Sequence, residues 1–93
     1  MIRIYSFDWN EENEDHIAKH GVSTFEVEET ILFCKPFYQR SREGKYVAYA
    51  VTEDGRYLFI VVAFKGSGRI RPISARDMTE KEKRYYRKRK GVR

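Results

Sequence analysis

The sequence has few residues that form covalent cross-links or interrupt regular backbone structure. Of its 93 residues, one is cysteine and two are proline. Cys34, as the only thiol, cannot form an internal disulfide, which favours a reducing compartment, and we expect the cytoplasm. Its apolar neighbours Ile31, Leu32 and Phe33 predict that this thiol is buried and packs as a small hydrophobic side chain.

Long apolar runs and nucleotide-binding motifs are also absent. No stretch approaches the roughly 20 apolar residues of a membrane-spanning helix, so no membrane association is expected. Residues 1–7 lack the apolar run and the cleavage site of a signal peptide. No Walker loop, dinucleotide fingerprint or Ser/His/Asp order stands out, and we expect no cofactor. A chain of this length supports one modest core, so residues 1–93 are predicted to form a single domain.

Charge is distributed unevenly along the chain. Residues 1–34 contain eight acidic and two basic side chains, whereas residues 35–93 contain 17 basic and six acidic ones, and the net charge is +5. A basic region in a small protein is typical of proteins that bind a polyanion such as nucleic acid. A solvated surface of lysine and arginine side chains is the alternative explanation.

Capping residues and hydrophobic periodicity predict three helices. The first begins at the N-cap Asn10, and the second begins at Ser23 or Thr24, with Glu26 as the capping partner of Ser23. A Thr79–Glu82 capping box opens a C-terminal helix. Met78, Glu82 and Tyr86 are spaced to form the side of this last helix that packs on the rest of the protein. The basic tail at 88–93 is expected to fray because like charges repel.

The remaining segments alternate with the period of a β-strand. A short opening strand is predicted over residues 2–7, and three or four mainly antiparallel strands follow from residue 37 onward. Residues 57–64 are apolar on both faces, which predicts a central strand. The order of elements, one strand, two helices, several strands and a final helix, is typical of an α+β fold.

Three arginines lie in the segment Arg69–Arg76. Guanidinium groups stay charged at neutral pH and bind phosphate oxygens in pairs. In a regular strand Arg69 and Arg71 share one face, but Pro72 cannot donate to a ladder, so we predict either an edge strand or a bulge at this point. The face occupied by Arg76 is left open. Pairing of these arginines with the N-terminal acids is the alternative to a phosphate-binding role.

Two histidines are spaced i, i+4 in the first predicted helix. The spacing of His16 and His20 can hold zinc, but no third ligand is indicated and we predict no metal site. His20, beside Lys19, can serve as a proton donor or acceptor, or it can simply pack the end of the helix.

Four segments of the chain form a combined pattern: Phe7–Asn10, His16–Val22, Arg69–Arg76, and Glu82 with Tyr86. Together they resemble the BrnT family of toxins. The order and spacing of a Lys-His-Gly-Val piece and an Arg-x-Ile-Ser-Ala-Arg piece make the resemblance fairly specific. The sequence departs from the common family pattern at Asn10, where aspartate is usual, at His16, where asparagine is frequent, and at Pro72, where a β-branched aliphatic residue is usual.

The resemblance implies a small RelE-like fold, with two N-terminal helices and a C-terminal helix on a three- to four-stranded, mainly antiparallel sheet. It also implies an endoribonuclease that acts as the toxin of a bacterial type II toxin–antitoxin pair. The implied partner is a BrnA-like antitoxin with a ribbon-helix-helix DNA-binding domain, through which alone the complex contacts operator DNA.

A ribonuclease that uses no metal must deprotonate the 2′-hydroxyl, stabilise charge on the phosphate and protonate the leaving 5′-oxygen. Arg71 and Arg76 suit the stabilising role, and Lys19 can add a cation. For proton transfer the sequence does not choose among His20, Glu82 and Tyr86. Candidate RNA contacts are the basic and aromatic residues of the C-terminal half, and Tyr85 can stack on a base. These contacts are Lys65, Arg69, Arg84, Tyr85 and Lys88.

Two other functions fit the same residues. A non-catalytic nucleic-acid-binding or regulatory module on this fold would bind RNA or DNA in a steeply salt-dependent manner without cleaving it. Alternatively, the basic half is an interface for an acidic protein partner alone, which an antitoxin would also satisfy.

Overall fold

The computed structural model describes residues 4–91, which form three helices and one five-stranded sheet. The elements are β1 (Ser6–Phe7), α1 (Glu11–Ala18), α2 (Thr24–Phe33), β2 (Phe37–Arg40), β3 (Lys45–Val51), β4 (Tyr57–Gly66), β5 (Arg69–Asp77) and α3 (Glu80–Lys90). The sheet order is β1-β5-β4-β3-β2, with β1 parallel to β5 and every other pair antiparallel.

The α+β class is confirmed, but the prediction of a three- to four-stranded sheet is wrong. The fifth strand is β1, which pairs with Arg69 and Ile70 at the start of β5. Periodicity indicates that a segment is extended, but it does not show which strand that segment joins. Residues 2 and 3 of the predicted opening strand lie outside the described residues.

All three helices begin at capping boxes, in which two side chains satisfy each other's free backbone N–H groups. Ser23 pairs with Glu26 and Thr79 with Glu82, as the sequence predicts. At α1 the predicted N-cap Asn10 pairs with Asn13, an amide in place of the usual carboxylate. α3 continues through Lys90, and residues 92–93 of the basic tail lie outside the described range. No helix within residues 4–91 is long and apolar enough to span a membrane.

The sheet is apolar on both faces, and β4 contributes to each. Leu58, Ile60 and Val62 alternate toward α1 and α2, whereas its odd-numbered residues pack toward α3, which confirms the predicted central strand. The helices therefore cover opposite sides of the sheet. The first cluster contains Ile17, Val22, Val27, Ile31, Ala48, Leu58, Ile60, Val62, Ile70 and Ala75; the second contains Val47, Tyr49, Met78 and Tyr86.

Strand β5 contains an irregularity at the predicted place. Val62 of β4 pairs with Pro72 and Val61 with Ser74, so Ile73 is an extra residue without a partner on β4. A bulge of this kind shifts the alternation of the strand by one residue. Of the two alternatives predicted at Pro72, an edge strand or a bulge, the bulge is present.

The free edge of β5 is closed by α1 through Asn13, which is 6% exposed. Its Nδ2 donates to the carbonyl oxygens of Asp8 (3.0 Å) and Pro72 (2.9 Å), while its Oδ1 accepts from the backbone N–H of Asn10 (2.8 Å). Because unpaired buried carbonyls are costly, this one amide fastens α1 to the bulge.

Cys34 differs from its prediction. It is the C-cap of α2 and is half-buried, because α2 turns Leu32 and Phe33 outward to exposed positions in place of packing them around the thiol. Partial burial still raises the pKa of the Cys34 thiol above its ordinary value, which keeps it protonated.

We predict that Asn13→Ala lowers the free energy of unfolding by about 2–4 kcal/mol, because it removes a cap partner and leaves two carbonyls unpaired. The matched change Asn10→Ala removes only the cap and should cost about 1 kcal/mol. Urea unfolding of both variants measures the difference. Equal losses would show that the bonds to Asp8 and Pro72 contribute nothing.

Candidate nucleic-acid interface

The bulge at Ile73 decides where the strand arginines lie. Arg71 pairs with Ala63, and Arg76 pairs with Phe59, four residues away along β4. Alternate residues of a strand share a face, so both arginines are on the side of the sheet that α3 covers. Their Cα atoms are separated along the strand by about 13 Å. Without the extra residue, an odd spacing of five would place them on opposite faces.

Arg71 is paired with a carboxylate from the other end of the chain. Its Nε and Nη2 donate to Oδ2 of Asp8 at 2.9 and 2.6 Å, and Nη2 of Arg69 reaches the same oxygen at 3.4 Å. The hydrogen bond from Arg71 is the main reason that the pKa of Asp8 lies below its ordinary value. The alternative of pairing with N-terminal acids is thus realised for Arg69 and Arg71.

Arg76 is held by the first turn of α3. Its Nη1 and Nη2 donate to the two carboxylate oxygens of Glu82 at 2.8 and 3.0 Å, and its guanidinium carbon lies 4.0 Å from the centre of the Phe59 ring. The hydrogen bond from Arg76 lowers the pKa of Glu82, so this carboxylate is ionised at neutral pH.

Each pairing leaves part of the guanidinium unused. Arg76 spends its Nη1 hydrogens on Glu82 and on the carbonyl of Asp77, and one Nη2 hydrogen on Glu82. The N–H of Nε and the second N–H of Nη2 lie side by side and have no hydrogen-bond partner among residues 4–91. Arg71 uses Nε and Nη2 for Asp8, so its Nη1 group remains. An arginine can bind two anions at different edges, and both residues are about a third or more exposed.

A cavity of about 400 Å³ opens between α3 and the sheet beside Arg76. Tyr49 lies buried at its base, with its hydroxyl donating to Oε1 of Gln39 at 3.1 Å. Burial raises the pKa of Tyr49, and the charge of Glu82 raises it further. The lining residues are Gln39, Tyr49, Lys81, Glu82 and Tyr85.

A second cavity, of about 260 Å³, lies at the free edge of β5 against α1. Arg71 borders this cavity, and so does His16, which the sequence suggested only as one half of an unsupported zinc pair. Arg71 and Arg76 therefore share a face, but Arg71 lines the smaller cavity, whereas Arg76 adjoins the larger one only through its partner Glu82. The lining residues are Asn10, Glu12, Asn13, His16, Arg71, Pro72 and Ile73.

The other sequence candidates lie at the ends and the core of the structure. Lys19 and His20 follow α1 as exposed residues and line neither of these two cavities. Arg56 donates to the backbone carbonyl of His20 and forms an ion pair with Asp77, so this loop is joined to the end of β5 beside Arg76. Tyr86 is 7% exposed and packs against Phe37 and Tyr57, and burial raises the pKa of its hydroxyl.

The predicted RNA contacts lie at the β4–β5 turn and on α3. Lys65 and Arg69 are exposed on either side of the β4–β5 turn, Arg84 and Lys88 are exposed on α3, and Tyr85 is half-buried. Among residues 4–91 no group of three His, Cys, Asp or Glu side chains is arranged to hold a metal ion.

Sequence reasoning did not select Asp8, Gln39 or Tyr49. For Asp8 there were two signals: the acidic N-terminal half suggested pairing with the arginines without naming the partner, and the matching segment Phe7–Asn10 contains Asp8 without giving it a role. Gln39 and Tyr49 belong to alternating segments where a polar or aromatic residue is ordinary, and their role depends on the packing of α3 across the sheet.

Comparison with solved structures identifies the class of fold. The structure is similar to the crystal structure of the Brucella abortus ribonuclease toxin BrnT, with a TM-score of 0.64 and 17% sequence identity over 86% of this chain and 100% of that one. No curated protein sequence matches the chain. The family described as "Ribonuclease toxin, BrnT, of type II toxin-antitoxin system" matches residues 9–82. The chain belongs to this family, as its resemblance implied, and as a type II toxin it has a cognate antitoxin partner.

We predict that acid weakens the fold through the paired carboxylates. Because the pKa of Asp8 is lowered on folding, its stabilising effect is present above its ordinary value of 3.8 and is lost as the pH falls through the lowered value. Thermal midpoints from about pH 6 to about pH 2 should fall less steeply in Asp8→Asn than in the wild type. Asp15→Asn, an exposed acid with no ion pair among the described residues, should keep the wild-type slope. Parallel curves for Asp8→Asn and the wild type would contradict the prediction.

Proposed function

We propose that this family member is a metal-independent endoribonuclease in which the 2′-hydroxyl attacks the adjacent phosphate and arginines stabilise the charge that develops. The observation that carries the proposal is the bulge at Ile73, because it brings Arg71 and Arg76 to one face, beside the basic helix α3. Each guanidinium keeps unbonded N–H groups with which to bind a phosphate oxygen. Such preorganised donors stabilise a transition state without needing to reorient.

Proton acceptance is assigned in this proposal to Glu82. Of the three candidates it alone lines a cavity and contacts an arginine of the strand. Its lowered pKa makes it ionised but weakly basic, so the rate of cleavage by the isolated protein is expected to be modest. Tyr86 is assigned a packing role on the side of α3 that faces the sheet, because it is buried. Its raised pKa keeps the hydroxyl protonated, so it is a poor proton acceptor.

In this proposal Lys19 supplies a further positive charge, and His20 donates the proton to the leaving 5′-oxygen. The support is proximity: Arg56 donates to the backbone carbonyl of His20 and pairs with Asp77, the residue that follows Arg76. Both side chains are exposed and free to approach RNA bound along β5. Phosphates on either side of the cleaved one would contact Lys65, Arg69, Arg84 and Lys88.

For the antitoxin we propose a ribbon-helix-helix DNA-binding domain and an acidic segment. The acidic segment covers the basic face, which is formed by α3 with Arg71 and Arg76. The support is charge: residues 35–93 hold 17 of the 19 basic side chains, and α3 alone ends in four. A partner on this surface would block access to Arg71 and Arg76, and operator DNA would be contacted only by the antitoxin.

We expect Arg76→Ala and Arg71→Ala each to lower the rate of RNA cleavage about 100- to 1,000-fold, the usual effect of removing one charge-stabilising donor. Labelled RNA incubated with pure protein in EDTA provides the measurement, and growth arrest on expression provides the cellular one. Arg42→Ala, on the β2–β3 turn, removes the same charge away from both cavities and should cleave like the wild type.

The EDTA experiment also separates the proposal from its alternatives. Bound but intact RNA, with affinity that falls steeply as salt rises, would establish a nucleic-acid-binding module and refute the nuclease mechanism. Cleavage that EDTA abolishes would refute metal independence. Equal losses in Arg42→Ala and Arg76→Ala would show that net charge matters, and not the position of the guanidinium.

A further inference from the structure

We propose that the cavity between α3 and the sheet binds a single unpaired nucleobase of RNA, stacked on Tyr85 over a floor formed by Tyr49. The inference rests on the proposed function, since it identifies how the same face holds single-stranded RNA. The volume of about 400 Å³ is within the range of small-ligand sites.

The aromatic walls are fixed before any base arrives. The ring of Tyr85 meets Phe37 edge-on at 5.7 Å between centroids and Tyr49 at 5.5 Å, and Tyr49 in turn meets Phe59 at 5.4 Å. Because these contacts set the orientation of Tyr85, little side-chain entropy is lost when a base stacks on it. A stacking platform of this kind binds every base, since each has a π-face.

Polar groups at the edge of the cavity can form hydrogen bonds with the edge of a base. The Tyr49 hydroxyl donates to Oε1 of Gln39, which leaves the Gln39 amide N–H groups as donors at the mouth. Across the cavity, Oε2 of Glu82 accepts only from Arg76 among the described residues, so it keeps room for another donor. A donor and an acceptor thus face the space beside Tyr85.

Basic side chains lie beside the cavity, where the sugar–phosphate backbone attached to a bound base would pass. Lys81 lies one helical turn before Tyr85 on the same side of α3 and lines the cavity with an exposed side chain. Arg76 adjoins the cavity through Glu82 and offers its Nε edge. The base in the cavity is therefore next to the phosphate that Arg76 would stabilise.

The experiment uses the full chain and two uncleavable probes, so that binding is measured without chemistry. One probe is a fluorescent 2′-O-methyl RNA hexamer, and the other carries the same backbone with abasic residues at every position. Stacking on one base predicts that the wild type binds the base-bearing probe about 5- to 150-fold more tightly than the abasic one. Equal affinity for the two probes would overturn the proposal without any variant.

Variants test which ring is responsible. Tyr85→Leu should lose the preference for the base-bearing probe and keep its affinity for the abasic one, whereas Tyr85→Phe should keep both, because the ring stacks and the hydroxyl does not. Tyr5→Leu is the matched control, since Tyr5 is 72% exposed near the opposite edge of the sheet. Equal losses in Tyr5→Leu and Tyr85→Leu would overturn the assignment to this cavity.

The proposal and the proposed function fail in different ways. If the wild type cleaves unmodified RNA but does not distinguish the two probes, the cavity binds no base and the nuclease assignment stands. If it prefers the base-bearing probe through Tyr85 but leaves unmodified RNA intact, the base site stands and the nuclease assignment falls.

Discussion

One extra residue in strand β5 determines which face of the sheet carries the arginines. Ile73 shifts the alternation of β5 so that Arg71 and Arg76, five positions apart, lie on the same side of the sheet. The shift is retained because Pro72 supplies no N–H, and because Asn13 of α1 donates to its carbonyl at 2.9 Å. The same bulge therefore attaches α1 to the edge of β5 and sets the face on which the two arginines lie.

Two carboxylates fix the orientation of the arginines on the basic face. Asp8 and Glu82 each occupy one edge of a guanidinium, so Arg71 and Arg76 are held in defined directions without being neutralised on every side. Their exposure keeps these ion pairs modest contributors to stability. Their effect is mainly directional: each carboxylate fixes the orientation of its guanidinium and leaves another edge of that group toward solvent.

Features that depend on neighbouring residues could be predicted from the sequence, whereas contacts between residues far apart in the chain could not. The capping pairs Ser23–Glu26 and Thr79–Glu82, the central strand β4 and the bulge each depend on neighbours within a few residues, and all were predicted. The pairing of β1 with β5 spans 63 positions and Gln39 meets Tyr49 across a hairpin, so no sequence pattern reports either. Arg76 and Glu82, six apart, were named separately, but their contact was not foreseen.

The position of β1 has a consequence for synthesis of the protein. Its partner β5 begins more than 60 residues later, so this parallel pair closes only when most of the chain has been made. Contacts between distant residues form late because loop entropy must be lost first. A nascent chain on the ribosome therefore lacks the Asp8–Arg71 contact and the bulged edge, and the protein matures only after residues 69–77 emerge. Translation itself thus delays the moment at which the arginine face is complete.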